Sequence, residues 1–275
     1  MRIDILSDLH LDFWFRADKP FPNDTRIRNI FDGILNKNIY HEVLIIAGDI
    51  SHYNSQISIV EKIAELYEYK KIFMVIGNHD IWLIGNKNKY KYKTSNNRKK
   101  EWYNYKDLKN IIHILNGDVV EYKGIKFGGF MGWYDASFKG YKDNYMIPSN
   151  NIHLWKSVSN DPVYIKGYED YMEIFNEEMK IIDKMPTDID IMISHFVPIN
   201  EPIAFTDAYK TDETNKFYCF NGIDYVEKLK PKYWIYGHSH NYHSFDIYNT
   251  KFIMNALGYP SEYHNIMNKF IELGD

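Results

Sequence analysis

Lys71-Ile72-Phe73-Met74-Val75-Ile76-Gly77-Asn78-His79-Asp80 is the stretch that decides the fold. Five apolar residues, rich in β-branching, stop at a glycine, and three side chains able to bind metals or move protons follow at once. An apolar run of this length closed by glycine predicts a fully buried strand rather than a helix. The strand delivers Asn78, His79 and Asp80 to the edge of a sheet.

The same design recurs. Ile3-Asp4-Ile5-Leu6 leads into Ser7-Asp8-Leu9-His10, and Val43-Leu44-Ile45-Ile46-Ala47 into Gly48-Asp49. Ile189-Asp190-Ile191-Met192-Ile193 leads into Ser194-His195, and Tyr233-Trp234-Ile235-Tyr236 into Gly237-His238-Ser239-His240. Ligands of open α/β sheets collect at the carboxyl ends of strands, so all these groups are placed to converge on one crevice.

Between the first strands the periodicity is helical. Ile27, Ile30, Phe31, Ile34 and Leu35 share one face, with Asp24 or Thr25 as the cap, and Ile57, Val60, Ile63, Ala64 and Tyr67 share another. The first eighty or so residues thus read strand–helix–strand–helix–strand, which implies right-handed crossovers and a mostly parallel sheet. Beyond residue 81 the pattern loosens. Short strands are predicted at 111–115, 119–122 and 125–130, a helix over 167–184 and another from Gly222 to Leu229. A closing hairpin over 243–248 and 251–256 turns through Asn249-Thr250. The basic run 86–100 is read as a solvated, mobile loop, with a phosphate-steering or nucleic-acid arm as the alternative.

The chain has 275 residues, a formal charge of −4 and one cysteine, Cys219. It can bury a large core, has no net pull toward nucleic acid or anionic lipid, and cannot form an internal disulfide. No apolar run approaches the roughly 20 residues of a membrane span, and Met1-Arg2 leads straight into a strand, so a cytoplasmic protein without membrane association is expected. No obligate protein partner is inferred.

Asp8, His10, Asp49, Asn78, His195, His238 and His240 are too many ligands for one tetrahedral zinc. Divided over two ions with one shared carboxylate, they offer each about four protein ligands. Imidazole, carboxylate and amide oxygen without thiolate suit Mn²⁺, Fe and Zn²⁺. The ordered set Asp8-Leu9-His10, Gly48-Asp49, Gly77-Asn78-His79-Asp80, His195 and Gly237-His238-Ser239-His240 resembles the five motifs of the calcineurin-like metallophosphoesterase superfamily. The resemblance implies an α/β fold of two mixed β-sheets packed as a sandwich flanked by helices, with a dinuclear metal site at the strand C-terminal ends. It implies a single domain over 1–275 with a variable insertion at about 81–188. Asp8, His10, Asp49 and His240 would hold one divalent ion, with Mn²⁺ first and Fe or Zn²⁺ as alternatives. A bridging Asp49 with Asn78, His195 and His238 would hold the other. His79 would contact the phosphate and protonate the leaving oxygen, and Asp80 would orient a neighbour or stabilise the imidazolium.

The implied reaction is hydrolysis of a phosphate ester by a metal-bridging hydroxide. The intact Asp8-x-His10 pair leans toward diesters, of a nucleotide or nucleic acid. A phosphomonoesterase acting on a small molecule or phosphoprotein is the alternative, and a non-catalytic metal-binding scaffold is the rival from another class. Where the phosphoprotein phosphatase branch carries Gly-Asp-x-x-Asp-Arg-Gly, this chain has Gly48-Asp49-Ile50-Ser51-His52-Tyr53, so that branch is disfavoured. His52 is read as approaching the substrate or as solvated, and Asp12 as near enough to support the site. Trp133, Tyr134 and Trp155 are read as core or as an aromatic wall. Asp4 and Asp190 are exposed alternates or local hydrogen-bonders, and His41, His113, His153, His243 and His264 are structural or exposed.

Overall fold

The computed structural model describes residues 1–16, 21–35, 41–140, 148–262 and 269–273, without the side chains of 148–150. His264 lies outside the described residues. In chain order, β1 (Arg2–Leu6), α1 (Leu11–Trp14), α2 (Asp24–Phe31), β2 (Val43–Ala47), α3 (Ile57–Tyr67), β3 (Lys71–Val75) and α4 (Asn78–Ile81) form the first part. α5 (Gly85–Tyr92), α6 (Ser95–Trp102), β4 (Ile112–Ile114), β5 (Val119–Tyr122), β6 (Ile125–Gly129), α7 (Pro148–Val158), α8 (Asp161–Tyr164) and α9 (Tyr171–Ile182) follow. β7 (Ile191–Ile193), α10 (Ile223–Leu229), β8 (Tyr233–Tyr236), β9 (Tyr242–Ile247), β10 (Thr250–Asn255) and β11 (Phe270–Glu272) complete it.

The strands divide into two mixed sheets, of order β11-β1-β2-β3-β4 and β5-β6-β7-β8-β10-β9. In the first, β1 to β4 run parallel and β11 pairs antiparallel with β1. In the second, β6, β7, β8 and β10 run parallel between antiparallel β5 and β9. The strand ends expected to meet in one crevice therefore come from two sheets, β1, β2 and β3 from one and β7 and β8 from the other. The central strands β1, β2, β3, β7 and β8 are buried on two faces, which is why they read as continuous apolar runs, while the edge strands β5, β9 and β11 are partly exposed. Along β2, Val43, Ile45 and Ala47 face the other sheet while Leu44 and Ile46 face the helices. Across the sandwich the Phe73 and Phe127 rings stack at 4.0 Å between centroids. At the site end the layers are joined by a bridge between Ser7 and Ala256.

The basic run expected to be a loop is instead two helices, α5 and α6, and part of it is core. Arg98 and Trp102 are fully buried, and both donate to the Asp80 carbonyl. Lys99 is buried against Glu178, whose other oxygen accepts from the Gly132 N–H. Lys87, Lys89, Lys91, Lys93 and Lys100 are exposed. Charge counting missed this because Arg and Lys bury long stems once their heads are paired. Trp133, Tyr134 and Trp155 are core. Asp4 is buried, accepting from the Tyr69 hydroxyl at 2.5 Å and lying 2.8 Å from His41 Nδ1.

Phe127→Ala removes half of the stacked pair between the sheets. Stability to denaturant should fall by about 3–5 kcal/mol, the usual cost of truncating a buried aromatic. An unchanged unfolding midpoint would show that the layers do not depend on this contact.

Candidate metal centre

Each strand ends in a sharp turn, and the turns set the side chains. Asp8, His10, Asp49, His238 and His240 have positive φ, at 51°, 41°, 53°, 75° and 49°. Asp and His tolerate this region better than most residues, yet each such turn costs on the order of 1–3 kcal/mol. Hydrogen bonds hold it: Asp8 N to the Gly48 carbonyl at 3.0 Å, His10 N to the Asp49 carbonyl at 2.8 Å, and His238 N to Asp8 Oδ1 at 2.9 Å. Gly77 is obligatory, because a Cβ there would lie 2.2 Å from Asp49 Oδ1.

All seven expected ligands meet. Ligand atoms of Asp8, His10, Asp49 and His240 lie within 4.8 Å of one another, and so do those of Asp49, His195 and His238. Asn78 Oδ1 is 3.1 Å from His195 Nε2, next to the second group. The Nε2 atoms of His10 and His240 are 2.9 Å apart, and His238 Nδ1 is 3.2 Å from His195 Nε2. Asp49 belongs to both groups. Among the described residues its Oδ2 is buried without a hydrogen-bond partner, yet lies 3.4 Å from His195 Nε2, 3.7 Å from His10 Nε2 and 3.9 Å from His79 Nε2. An orphaned buried carboxylate oxygen among imidazole nitrogens is what a cation would satisfy. The residues fit divalent metal.

The far side of most rings is anchored, which selects the free nitrogen. His195 Nδ1 sits 2.9 Å from the Ala47 carbonyl, His240 Nδ1 2.9 Å from Glu262, and His238 Nε2 3.3 Å from the Phe217 carbonyl. Burial pushes the His10 imidazole down to about 3. Burial would raise Asp49, but His195, His79 and His10 hold it well below the usual carboxylate range. Burial would lower His195, but the Asp49 charge lifts it to about 9.

His79 stands apart from both groups. Its ring stacks on Trp82 at 3.7 Å, its Nδ1 is 2.9 Å from His52 Nε2, and its Nε2 is 3.4 Å from the Tyr259 hydroxyl. His52 Nδ1 is in turn 2.7 Å from Asp12 Oδ2. Asp12 accepts only, so His52 Nδ1 donates to it and Nε2 is the nitrogen His52 shares with His79 Nδ1. His52 is thus buried in a relay rather than solvated. Asp80 is fully buried. Its carboxylate accepts from the backbone N–H of Gly77, Ile50 and Ser51, tying the β2 and β3 turns together. Burial, together with the Asp49 charge, pushes its pKa up to about 7.

Sequence reading missed Asp161, Tyr259 and Glu262. No motif surrounds them, and they reach the site only through folding. Asp161 accepts from Asn78 Nδ2 at 2.9 Å, Trp82 Nε1 at 2.7 Å and the Tyr134 hydroxyl at 2.7 Å.

The family model for calcineurin-like phosphoesterases matches residues 1–242. The chain belongs to that family. It is a metal-dependent phosphoesterase, and the family implies divalent ions at the centre described above and a phosphate-ester substrate. The phosphoesterase is 28% identical over 273 residues to the uncharacterized protein L509 of Acanthamoeba polyphaga mimivirus, covering 94% of this chain and 92% of that one. A shorter match, 42% identical over 41 residues, links it to the uncharacterized protein MJ1162 of Methanocaldococcus jannaschii, over 15% of this chain and 19% of that one. Its fold is similar to the crystal structure of phosphopantetheinyl hydrolase (PptH) from Mycobacterium tuberculosis, with a TM-score of 0.60 at 17% identity, over 94% and 89% of the two chains. Among the described residues, no helix is long and apolar enough to cross a membrane.

With its pKa near 9, His195 is protonated in the metal-free protein at pH 7 and must lose that proton to ligate. Metal uptake should therefore release protons, and affinity should climb as pH rises toward about 9. Calorimetry in buffers of different ionisation heat reads the proton count directly. A count of zero at pH 7 would contradict the raised pKa.

Proposed function

We propose that this phosphoesterase hydrolyses a small phosphodiester at two divalent ions, with Mn²⁺ the first choice and Fe or Zn²⁺ the alternatives. Asp8, His10, Asp49 and His240 would hold one ion, and Asp49, Asn78, His195 and His238 would hold the other. The observation that carries this is Asp49, the residue common to both ligand groups, whose Oδ2 is buried and without a hydrogen-bond partner among the described residues. Bound ions of this kind supply a nucleophile from water at neutral pH and neutralise charge on phosphoryl oxygens.

The chain's own residues do the rest. Relayed through His52 to Asp12, His79 is held with Nε2 toward the space beside Asp49. There it donates a hydrogen bond to the phosphate and a proton to the leaving oxygen. Burial pushes its imidazole well below the usual range in the free protein. An anionic phosphoryl group beside Nε2 acts in the opposite sense. Tyr259 closes the same side.

The cleft over these groups has a volume of about 860 Å³. Trp82, Tyr164, Phe205, Tyr209, Phe217 and Tyr218 are among its walls, and the described lining residues include no lysine or arginine. Such a wall suits one phosphoryl group carrying a planar or apolar moiety, as in a nucleotide-sized diester. A nucleic-acid strand needs cations along its backbone. A small-molecule monoester is the second reading, since the cleft would admit it as well. We place the enzyme in the cytoplasm on the same footing, because its single Cys219 is a free buried thiol, as suits a reducing compartment.

Asp49→Ala should remove both ions by elemental analysis and abolish turnover of bis(p-nitrophenyl) phosphate. Retention of one ion at full occupancy would rule out the shared-carboxylate arrangement. His79→Asn should keep both ions while lowering turnover by roughly 10²–10⁴-fold. The deficit should be small for p-nitrophenol leaving groups and large for alkyl or nucleoside ones. An equal deficit for every leaving group would assign His79 to phosphate binding alone.

A further inference from the structure

Asn78 is an unusual ligand because its amide has two unlike ends. Only the oxygen binds a cation, and the NH₂ end would repel one. Something must therefore choose the orientation. His195 Nε2 lies 3.1 Å from Oδ1, but a nitrogen that is itself to ligate offers a lone pair and cannot hold that oxygen by a hydrogen bond. On the other side lies Asp161, fully inside the protein at 2% exposure, with its Oδ1 2.9 Å from Asn78 Nδ2. A carboxylate accepts and does not donate, so it takes the NH₂ end and leaves Oδ1 turned toward His195.

We propose that Asp161 is the positioning residue that fixes Asn78 as an oxygen ligand, and that through the same oxygen it sets the platform under His79. This rests on the assignment of Asn78 as a ligand made above. Asp161 Oδ1 also accepts from Trp82 Nε1 at 2.7 Å, and Trp82 is the ring stacked on His79. One oxygen atom thereby ties the metal ligand to the support of the proton-bearing imidazole. Asp161 itself is held by the Tyr134 hydroxyl at 2.7 Å, which receives the Trp155 indole N–H at 2.6 Å. Tyr134, Trp155 and Asp161 all come from the segment between 81 and 188. That stretch, read from the sequence as a variable insertion, reaches the centre by three consecutive hydrogen bonds.

The test is a thermodynamic cycle read by metal affinity, measured with Mn²⁺ against a competing chelator on the full chain. Asp161→Ala should weaken one of the two ions about 10–100-fold, the usual worth of a group that holds a ligand, and leave the other unchanged. Asn78→Ala should weaken the same ion, and Asp161→Ala should add little in that background, because its effect passes through Asn78. Asp161→Asn should largely rescue binding, since its one oxygen can still accept from Asn78. Tyr134→Phe should lower Tm with both affinities intact.

Asp161→Ala with both affinities at the wild-type value would overturn the proposal. So would equal, additive losses in the two backgrounds. If Asp161→Ala does not fold, the Asp161→Asn and Tyr134→Phe pair decides: loss of one ion in Tyr134→Phe but not in Asp161→Asn overturns the assignment. If Asn78→Ala itself keeps both ions, the ligand assignment fails instead, and the two failures are told apart.

Discussion

The structure depends on one carboxylate oxygen that the fold alone leaves unsatisfied. Among the described residues Asp49 Oδ2 is buried without a well-formed hydrogen bond, with imidazole nitrogens on three sides at 3.4 to 3.9 Å. Isolated burial of such a charge is costly, and the fold accepts the cost only where a cation can relieve it. Around it the backbone is bent just as unfavourably, with five of the ligand residues in the left-handed region. Strain, desolvation and like-type nitrogens packed at about 3 Å all point the same way. A cation held among these groups would relieve all three.

That arrangement needs support from behind, and two carboxylates provide it without touching an ion. Asp80 gathers three backbone N–H groups from the ends of β2 and β3 and so fixes the distance between Asp49 and Asn78. Its own carbonyl is pinned by Arg98 and Trp102, and Arg98 also reaches the His52 carbonyl. Asp161 grips Asn78 and Trp82 from the other side. The middle of the chain, where sequence patterning is weakest, is therefore the buttress of the centre. The basic composition of 86–100 hid this, because a buried guanidinium and a solvated one look the same in a sequence.

The spacing of apolar runs and their terminal Asp, Asn and His residues was enough to assign the strands β1, β2, β3, β7 and β8 and to name all seven residues that meet at the centre. This worked because a strand buried on both faces has a period-free apolar signature, and because ligands cluster directly after such strands. The helices α2, α3, α9 and α10 were legible too, though α9 begins at Tyr171 where Asp170 caps it, later than the periodicity suggests.

Tertiary structure alone decided the rest. Sequence period says that a strand is buried, not which of two layers it joins, so the division into sheets by order β11-β1-β2-β3-β4 and β5-β6-β7-β8-β10-β9 was not readable. Nor were the partners of Asn78 and His79. Asp12 and His52 are 40 residues apart and Asn78 and Asp161 are 83 apart, and no local rule links such pairs. Ligand identity is a matter of side-chain chemistry at a strand end, which a sequence displays. The orientation of an amide or the tautomer of an imidazole is set by whatever packs against its far side, and only the folded chain brings that group near.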